Sequence, residues 1–387
     1  MPLRSNRWHI LMMFMCAHAV NDGFMWIMPP LLPMIREYFN LSYGETGALL
    51  TLFRFFGDVF QAPAAYLVHL APVSNILVVG LLWSSVGMFL SSFSPSYGIL
   101  LWLSSLSGIG RSTYHPLAVT ILSRLFDRRT FGRVIGFHLT GSGIGMVAAP
   151  FLVGFLVASF SWRIPLQVWS VLGVLVGLAL YHFLKHEKNN FQTGKKALAW
   201  PFVSRSLVIY LAAASIWALA QSGVTAFLPL FLVDRREFSA EKAAMMYGVI
   251  SFAGLVCKPL LGALMDRMGR RKPVVIGGYV MGSLSILLLA LFETSWVVYL
   301  AILLLGLFVT GHAGLADTFM VEMVPSQRRE ETLGFIYTLR MGIGAVSPFL
   351  VGVLSESTGL TVSFLYMAGV GGLAILVMSF APEKPAE

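Results

Sequence analysis

Charged residues are scarce in this chain of 387 residues, in which Asp, Glu, Lys and Arg together make up only 12%. Soluble globular proteins carry roughly 25% charged residues, and here hydrophobic residues account for 57% of the chain. The polar side chains could not cover a water-facing surface of this size. The composition therefore excludes an ordinary soluble protein and predicts a surface that is solvated by lipid.

Cysteine is also nearly absent. The two cysteines, Cys16 and Cys257, both lie in apolar runs, a placement that argues against a disulfide framework and lacks the ligand spacing of a metal site. No cleavable signal peptide is expected, because the first apolar run is longer than the ~7–15 residues of a signal core. We interpret that run as the first membrane-spanning helix.

Long apolar runs make up most of the sequence. A bilayer-spanning helix needs about 20 mainly apolar residues, and twelve segments satisfy this condition. The predicted spans are 8–36, 45–70, 73–93, 96–124, 131–159, 162–184, 205–232, 240–267, 272–292, 295–322, 330–356 and 360–381. They predict an all-α membrane protein with twelve transmembrane helices: a six-helix bundle at 1–184, a cytoplasmic linker at 185–204 and a second six-helix bundle at 205–387.

The basic residues set the expected orientation. If both termini lie in the cytoplasm, most of the 27 Lys and Arg residues fall in cytoplasmic segments, as the positive-inside rule requires. The formal net charge of +9 then has an explanation in topology, and no nucleic-acid partner is expected. We expect the partners to be the lipid bilayer and a small-molecule substrate, and the protein to be a monomer.

The two halves of the chain resemble each other. The segment GFHLTGSGIGMVAAPFLVG at 136–154 aligns without gaps with GFIYTLRMGIGAVSPFLVG at 334–352, and VNDGFMWIMP at 20–29 aligns with AQSGVTAFLP at 220–229. Internal repeats of this kind are typical of secondary transporters, whose substrate sites lie near the bilayer midplane where the repeats meet. The repeat therefore predicts a transporter.

The segment GALMDRMGRRK at 262–272 resembles the loop motif of the major facilitator superfamily. The resemblance implies two pseudo-symmetric six-helix bundles around a central cavity that opens alternately to each side. It also implies that Asp266 caps or pairs with a neighbouring helix end, with Arg267, Arg270 and Arg271 at the cytoplasmic face. Alternatively, these arginines only set the topology. The equivalent loop of the first half, at 63–74, lacks the motif.

Two further segments, HAVNDG at 18–23 and GIGRSTYHPLA at 108–118, resemble the fosmidomycin-resistance branch of efflux proteins. Leu117 departs from that branch, which usually has an acidic residue there. The fifth span approximates an export-antiporter motif, with Ala149 in place of a glycine before Pro150. The resemblance implies a proton-coupled efflux antiporter of the drug-resistance type in the plasma (inner) membrane of a prokaryote.

Asp22 lies near the middle of the first span, where an ionised side chain costs at least ~2.5–3.5 kcal/mol. A poorly hydrated pocket favours its neutral acid, so Asp22 is the candidate proton carrier, with His18 one turn away as its relay. Alternatively, Asp22, Asn21 and His18 tie helices together through hydrogen bonds. A metal site is not predicted, because two ligands one turn apart are too few.

In the family that the chain resembles, the first, fourth, seventh and tenth spans line the cavity. The polar residues of those spans are therefore candidate substrate contacts, and Arg340 of the eleventh span joins them. The complete set is Asn21, Arg111, Tyr114, His115, Trp217, Gln221, His312, Asp317 and Arg340. The planar guanidinium of Arg111 suits an anionic or zwitterionic substrate; the alternative for Arg111 is an ion pair with Asp22.

The remaining polar residues of the spans have simpler interpretations. Arg54 and Asp58 lie one turn apart in the second span and are expected to pair, or to take part in gating. His138 is expected to be a buried histidine whose hydrogen bonds are satisfied. The sequence contains neither H-E-x-x-H nor G-x-S-x-G, so an enzyme is not expected, and no cofactor is expected beyond the proton gradient. The alternative to efflux is an uptake symporter or exchanger for an organic anion.

Overall fold

The computed structural model describes residues 7–61, 63, 67, 71–185, 201–312, 315–325 and 328–382, and within these ranges every regular element is a helix. The helices of the first half are α1 (Arg7–Phe39), α2 (Tyr43–Val59), α3 (Val73–Ser91), α4 (Tyr97–Ser112), α5 (Tyr114–Leu125), α6 (Arg128–Val157) and α7 (Arg163–Leu184). Those of the second half are α8 (Arg205–Arg236), α9 (Ala240–Met268), α10 (Lys272–Leu291), α11 (Ser295–Leu305), a π-helix (Gly306–Thr310), α12 (Leu315–Met323), α13 (Arg329–Thr358) and α14 (Leu360–Ser379).

Nine helices of the described residues are long and apolar enough to cross a membrane. A helix lies at each of the twelve predicted positions, although the fourth and tenth spans are each divided into shorter pieces. The predicted all-α membrane fold is therefore confirmed, and the chain is a multi-pass membrane protein.

The fourth span is interrupted at Thr113, between α4 and α5. Pro116 has no N–H and cannot bond to the carbonyl of Ser112 one turn earlier, and the hydroxyl of Thr113 donates to the carbonyl of Gly110 at 2.9 Å. The corresponding part of the tenth span contains the π-helix, a form found mostly at functional sites. The interruption decides where the side chains after Thr113 point.

The helices form two compact units, Met1–Phe39 with Leu52–Lys196 and Asn40–Thr51 with Ala197–Glu387. In the first unit, α1 packs against α6 and α7, and α3 packs against α4 and α7. In the second, α8 packs against α13 and α14, and α10 packs against α14. The predicted limits of the two bundles and of the linker stay a prediction.

The start of α2 is grouped with the second half of the chain, which the sequence does not predict. The hydroxyl of Tyr43 donates to Asp234 at 2.7 Å, and the N–H of Gly44 donates to Glu356 at 2.8 Å. These two bonds join the beginning of α2 to α8 and α13 of the same unit.

Two glycines bring α6 unusually close to α1. A Cβ atom on Gly141 would lie 2.2 Å from the carbonyl oxygen of Met15, and one on Gly145 would lie 2.0 Å from that of Ala19. Only glycine allows this approach, because any side chain would collide with the main chain of α1. The short distance between the helices brings Ser142 within hydrogen-bond range of α1.

Candidate functional site

The carboxylate of Asp22 is surrounded by four polar side chains from three helices of the first unit. Its Oδ1 lies 3.1 Å from Asn21 Nδ2 and 3.2 Å from His115 Nε2. Its Oδ2 lies 2.5 Å from Ser142 Oγ and 3.3 Å from His18 Nε2. Each oxygen thus has two partners inside the protein, which replace the water that an exposed carboxylate would bind.

His18 is held in one orientation by the helix opposite. Its Nδ1 lies 3.0 Å from the main-chain oxygen of His138, and the two imidazole rings stack with their centroids 4.3 Å apart. The rings of Tyr114 and His115 lie 5.3 and 5.1 Å from that of His18, and Tyr114 itself donates to the carbonyl of Phe14 at 2.5 Å. His18 therefore has little freedom to turn.

The cluster is buried on one side and accessible on the other. The side chain of His18 is only 2% exposed, whereas those of Asp22 and His115 are 15% and 35% exposed. Asn21 and Tyr114 are also buried. Asp22 and His115 therefore form the more exposed part of the cluster.

A second charged cluster lies in the same unit, around Asp58. Arg111 Nη2 bonds to Asp58 Oδ1 at 2.6 Å, and Arg54 Nε lies 3.9 Å from Asp58 Oδ2. The prediction that Arg54 and Asp58 pair is confirmed. The alternative that Arg111 pairs with Asp22 is wrong, because Asp58 of α2 is its partner.

The guanidinium of Arg111 lies against the main chain of α2. A Cβ atom on Gly57 would be 2.0 Å from Nη2 of Arg111, so the absence of a side chain there makes room for the ion pair. The guanidinium also lies 5.6 Å from the ring centre of Phe53 and 4.0 Å from the sulfur of Met25. Arg111 is only 3% exposed, and Asp58 balances its charge.

The residues expected to contact substrate in the second unit are mostly enclosed. Trp217 stacks on Tyr279 with ring centroids 4.5 Å apart, and His312 meets the same ring edge-on at 5.2 Å. Both Trp217 and His312 are buried, Arg340 is 9% exposed, and Gln221 is partly buried. The side chain of Asp317 lies outside the described residues. Their roles as substrate contacts stay predictions.

The loop-motif residues lie on the surface of the second unit. Asp266, Arg267 and Arg270 are exposed, and Arg271 is partly buried. Exposure is compatible with both interpretations. In the first, Asp266 caps a helix end and the arginines lie at the cytoplasmic face; in the second, the arginines only set the topology. Both interpretations stay open.

The sequence does not identify Ser142 as a partner of Asp22, nor the carbonyl of His138 as the partner of His18. Ser142 and the carbonyl of His138 lie in the fifth span, and the only sequence signal is that Ser142 aligns with Arg340 in the repeat. Helical spacing puts His115 one turn after Arg111, on the same face. Because the helix is interrupted at Thr113 between them, His115 contacts Asp22 and Arg111 contacts Asp58.

The sequence profile of the Major Facilitator Superfamily matches residues 14–346 and 251–387. The chain belongs to this superfamily. It is therefore a membrane transporter of small solutes and not an enzyme, and the resemblance inferred from the loop motif is confirmed.

Named relatives extend over nearly the whole chain. The fosmidomycin resistance protein of Escherichia coli is 19% identical over 378 residues, which cover 95% of this chain and 91% of that protein. A "Probable 4-methylmuconolactone transporter" of Cupriavidus pinatubonensis is 26% identical over 345 residues, covering 85% of this chain and 79% of that protein. The relatives are thus transporters, and the fosmidomycin-resistance branch is among them.

Solved structures show the same fold. A bacterial homologue of the human lysosomal transporter Spinster, in an inward-facing and occupied conformation, superposes with a TM-score of 0.82 at 15% identity. The match covers 98% of this chain and 97% of that one. At this identity the likeness establishes the fold alone.

Proposed function

We propose that the protein is a proton-coupled efflux antiporter for a small organic anion or zwitterion, working by alternating access, with Asp22 as the proton carrier. His18 and His115 are its proton-exchange partners. Arg111 contacts the anionic group of the substrate, and the other substrate contacts are Asn21, Tyr114, His115, Trp217, Gln221, His312, Asp317 and Arg340. Asp266, Arg267, Arg270, Arg271, Arg54 and Asp58 serve structure and gating.

The observation that carries the proposal is the tautomer of His18. A carbonyl oxygen can only accept a hydrogen bond, so the contact with His138 requires a hydrogen on Nδ1 of His18. In neutral His18, Nε2 is then a bare lone pair that faces Asp22 Oδ2 at 3.3 Å. Two acceptors at this distance repel each other unless a proton lies on one of them. The pair thus has a place for one exchangeable proton.

His115 gives the carboxylate a second proton-exchange partner on the accessible side. Its Nε2 lies 3.2 Å from Asp22 Oδ1, and its side chain is 35% exposed. The other titratable or charged groups around the pair are His138 of α6 and Tyr114 of α5, with the Arg111–Asp58 pair acting on His115 at longer range. A proton can thus pass between the accessible side and the buried His18 through the carboxylate.

The arginines support the choice of substrate. Arg111 is already paired with Asp58, so a substrate carboxylate or phosphonate would compete with Asp58 for the guanidinium fork. Arg340 occupies in the second half the repeat position that Ser142 occupies in the first.

Direction and setting are further parts of the proposal. The approximate antiporter motif before Pro150 and the fosmidomycin-resistance relative favour efflux over the alternative, uptake by symport. The distribution of basic residues favours cytoplasmic termini in the inner membrane of a prokaryote. The transporter acts as a monomer and uses the proton gradient without any other cofactor.

The test uses purified protein in proteoliposomes with an imposed pH gradient and a panel of small organic anions and zwitterions. The expected result is that the substrate moves in the direction opposite to the protons. Asp22→Asn should abolish this pH-driven movement but retain the exchange of substrate that needs no gradient. Asp127→Asn, an exposed carboxylate at the start of α6, is the matched control and should transport normally. Substrate movement together with protons would establish symport instead, and full pH-driven transport by Asp22→Asn would refute the carrier.

A further inference from the structure

The Asp22 cluster also has the composition of a metal site. One ring nitrogen each of His18 and His115 and one carboxylate oxygen of Asp22 all lie within 4.8 Å of one another. The sequence offers only two of these ligands on one helix, and the interruption at Thr113 brings the third from α5. Two imidazoles and one carboxylate form a common three-ligand set for zinc.

The distances suit a transition-metal ion. Zn²⁺ binds imidazole nitrogen and carboxylate oxygen at ~2.0–2.2 Å, so neighbouring ligands of a tetrahedral site are about 3.3 Å apart. Nε2 of His18 lies 3.3 Å from Oδ2 of Asp22, and Nε2 of His115 lies 3.2 Å from Oδ1. The two imidazoles thus approach different oxygens of one carboxylate, and an ion between them would bind one of these oxygens or both.

The surroundings already hold the ligands in the required state. The bond from His18 Nδ1 to the carbonyl of His138 directs the lone pair of Nε2 toward the carboxylate, and metal-binding histidines usually have such a second bond. No hydrogen-bond donor among the described residues reaches that buried Nε2. Ser142 and Asn21 hold the carboxylate itself.

The accessible side supplies an entrance and a free coordination position. Asp22 and His115 are 15% and 35% exposed, whereas His18 is only 2% exposed. An ion arriving from the accessible side would meet His115 and Asp22 first and could keep one water as its fourth ligand.

We propose that His18, Asp22 and His115 bind one divalent transition-metal cation of the Zn²⁺ class, with water in the fourth position. Imidazole ligands select zinc, nickel or copper over magnesium and calcium, which prefer oxygen ligands. The ion occupies the lone pairs that otherwise take up protons, and it therefore arrests transport. Binding of the ion depends on the ligand geometry and not on the proposed proton coupling.

The test measures Zn²⁺ binding to the purified full-length transporter by isothermal titration calorimetry after treatment with a chelator. We expect one equivalent of Zn²⁺ and no response to Mg²⁺. His18→Gln and His115→Gln should each weaken binding at least ~10–100-fold, since loss of a mere supporting residue costs that much. His182→Gln, an exposed histidine on α7, is the matched control and should bind like the wild type.

A second measurement uses the wild-type protein, so its result does not depend on whether the variants fold. Co²⁺ in place of Zn²⁺ should give the intense visible absorption of a four-coordinate site, and X-ray absorption should count two imidazole ligands. The absence of one-equivalent binding, or equal affinity in the His115→Gln and His182→Gln variants, would overturn the proposal. Transport assays run in the presence of chelator report on proton coupling alone, so either proposal can fail while the other stands.

Discussion

His18 Nδ1 lies 3.0 Å from the main-chain oxygen of His138, and the two rings stack with their centroids 4.3 Å apart. One residue thus fixes both the hydrogen position and the plane of its neighbour. Because the hydrogen bond uses the main chain, only the stacking depends on the side chain of His138. The two contributions can be separated by substitution.

His138→Phe should retain the stack and pH-driven transport, whereas His138→Ala should lose both. An aromatic pair contributes about 0.5–1.5 kcal/mol beyond its burial, and the alanine variant also leaves a cavity beside His18. Thermal unfolding in detergent and transport in proteoliposomes measure the two effects. Equal transport by both variants would show that the ring of His138 does not position His18.

Asp58→Asn should destabilise the protein by about 3–5 kcal/mol, because it leaves the buried guanidinium of Arg111 without a counter-charge. Arg111→Gln should cost a similar amount, and the double variant should cost less than the sum of the two. Arg54→Gln is the control: its distance of 3.9 Å from Asp58 predicts a smaller loss. If denaturant unfolding shows that the loss of stability in the double variant equals the sum of the two single losses, the two residues are not coupled.

Gly57→Ala tests how the same ion pair is accommodated. The new methyl group would lie 2.0 Å from Nη2 of Arg111, so we expect the guanidinium to shift and its bond to Asp58 to lengthen, at a cost of ~1–3 kcal/mol. Gly98→Ala, on the helix that carries Arg111, meets nothing within 4 Å and should be neutral or stabilising. Unfolding measurements that fail to separate the two variants would refute this account.

Gly145→Ala should force α6 away from α1 and lengthen the bond between Ser142 and Asp22. Overpacking of this kind costs ~1–3 kcal/mol, and we expect pH-driven transport to fall with stability. Gly136→Ala on the same helix meets nothing within 4 Å, which makes it a matched control. If Gly145→Ala transports as well as Gly136→Ala, the close approach of the helices is not needed for function.

Much of the fold could be predicted from the sequence, because apolar length and repeated motifs are local signals. Helical spacing also predicts that His18 and Asp22 lie side by side. It does not predict that Asp58 is the partner of Arg111, because that contact depends on how α2 packs against α4. The approach of His115 to Asp22 depends on the interruption at Thr113, and helical periodicity carries no signal for it.

The start of α2 shows the same limit. Its apolar pattern predicts a membrane span but carries no signal for the bonds of Tyr43 and Gly44 to Asp234 and Glu356. Hydropathy reports that a helix enters the membrane and says nothing about its neighbours.

Main-chain atoms, rather than interlocking side chains, set the spacing of α1 and α6 at Gly141 and Gly145. Variant libraries that aim to change which compounds the transporter accepts can therefore randomise nearby side chains other than the partners of Asp22, provided that these two glycines are kept. The carboxylate would keep its neighbours throughout such a library, so altered substrate range could be selected without losing the chemistry that drives transport.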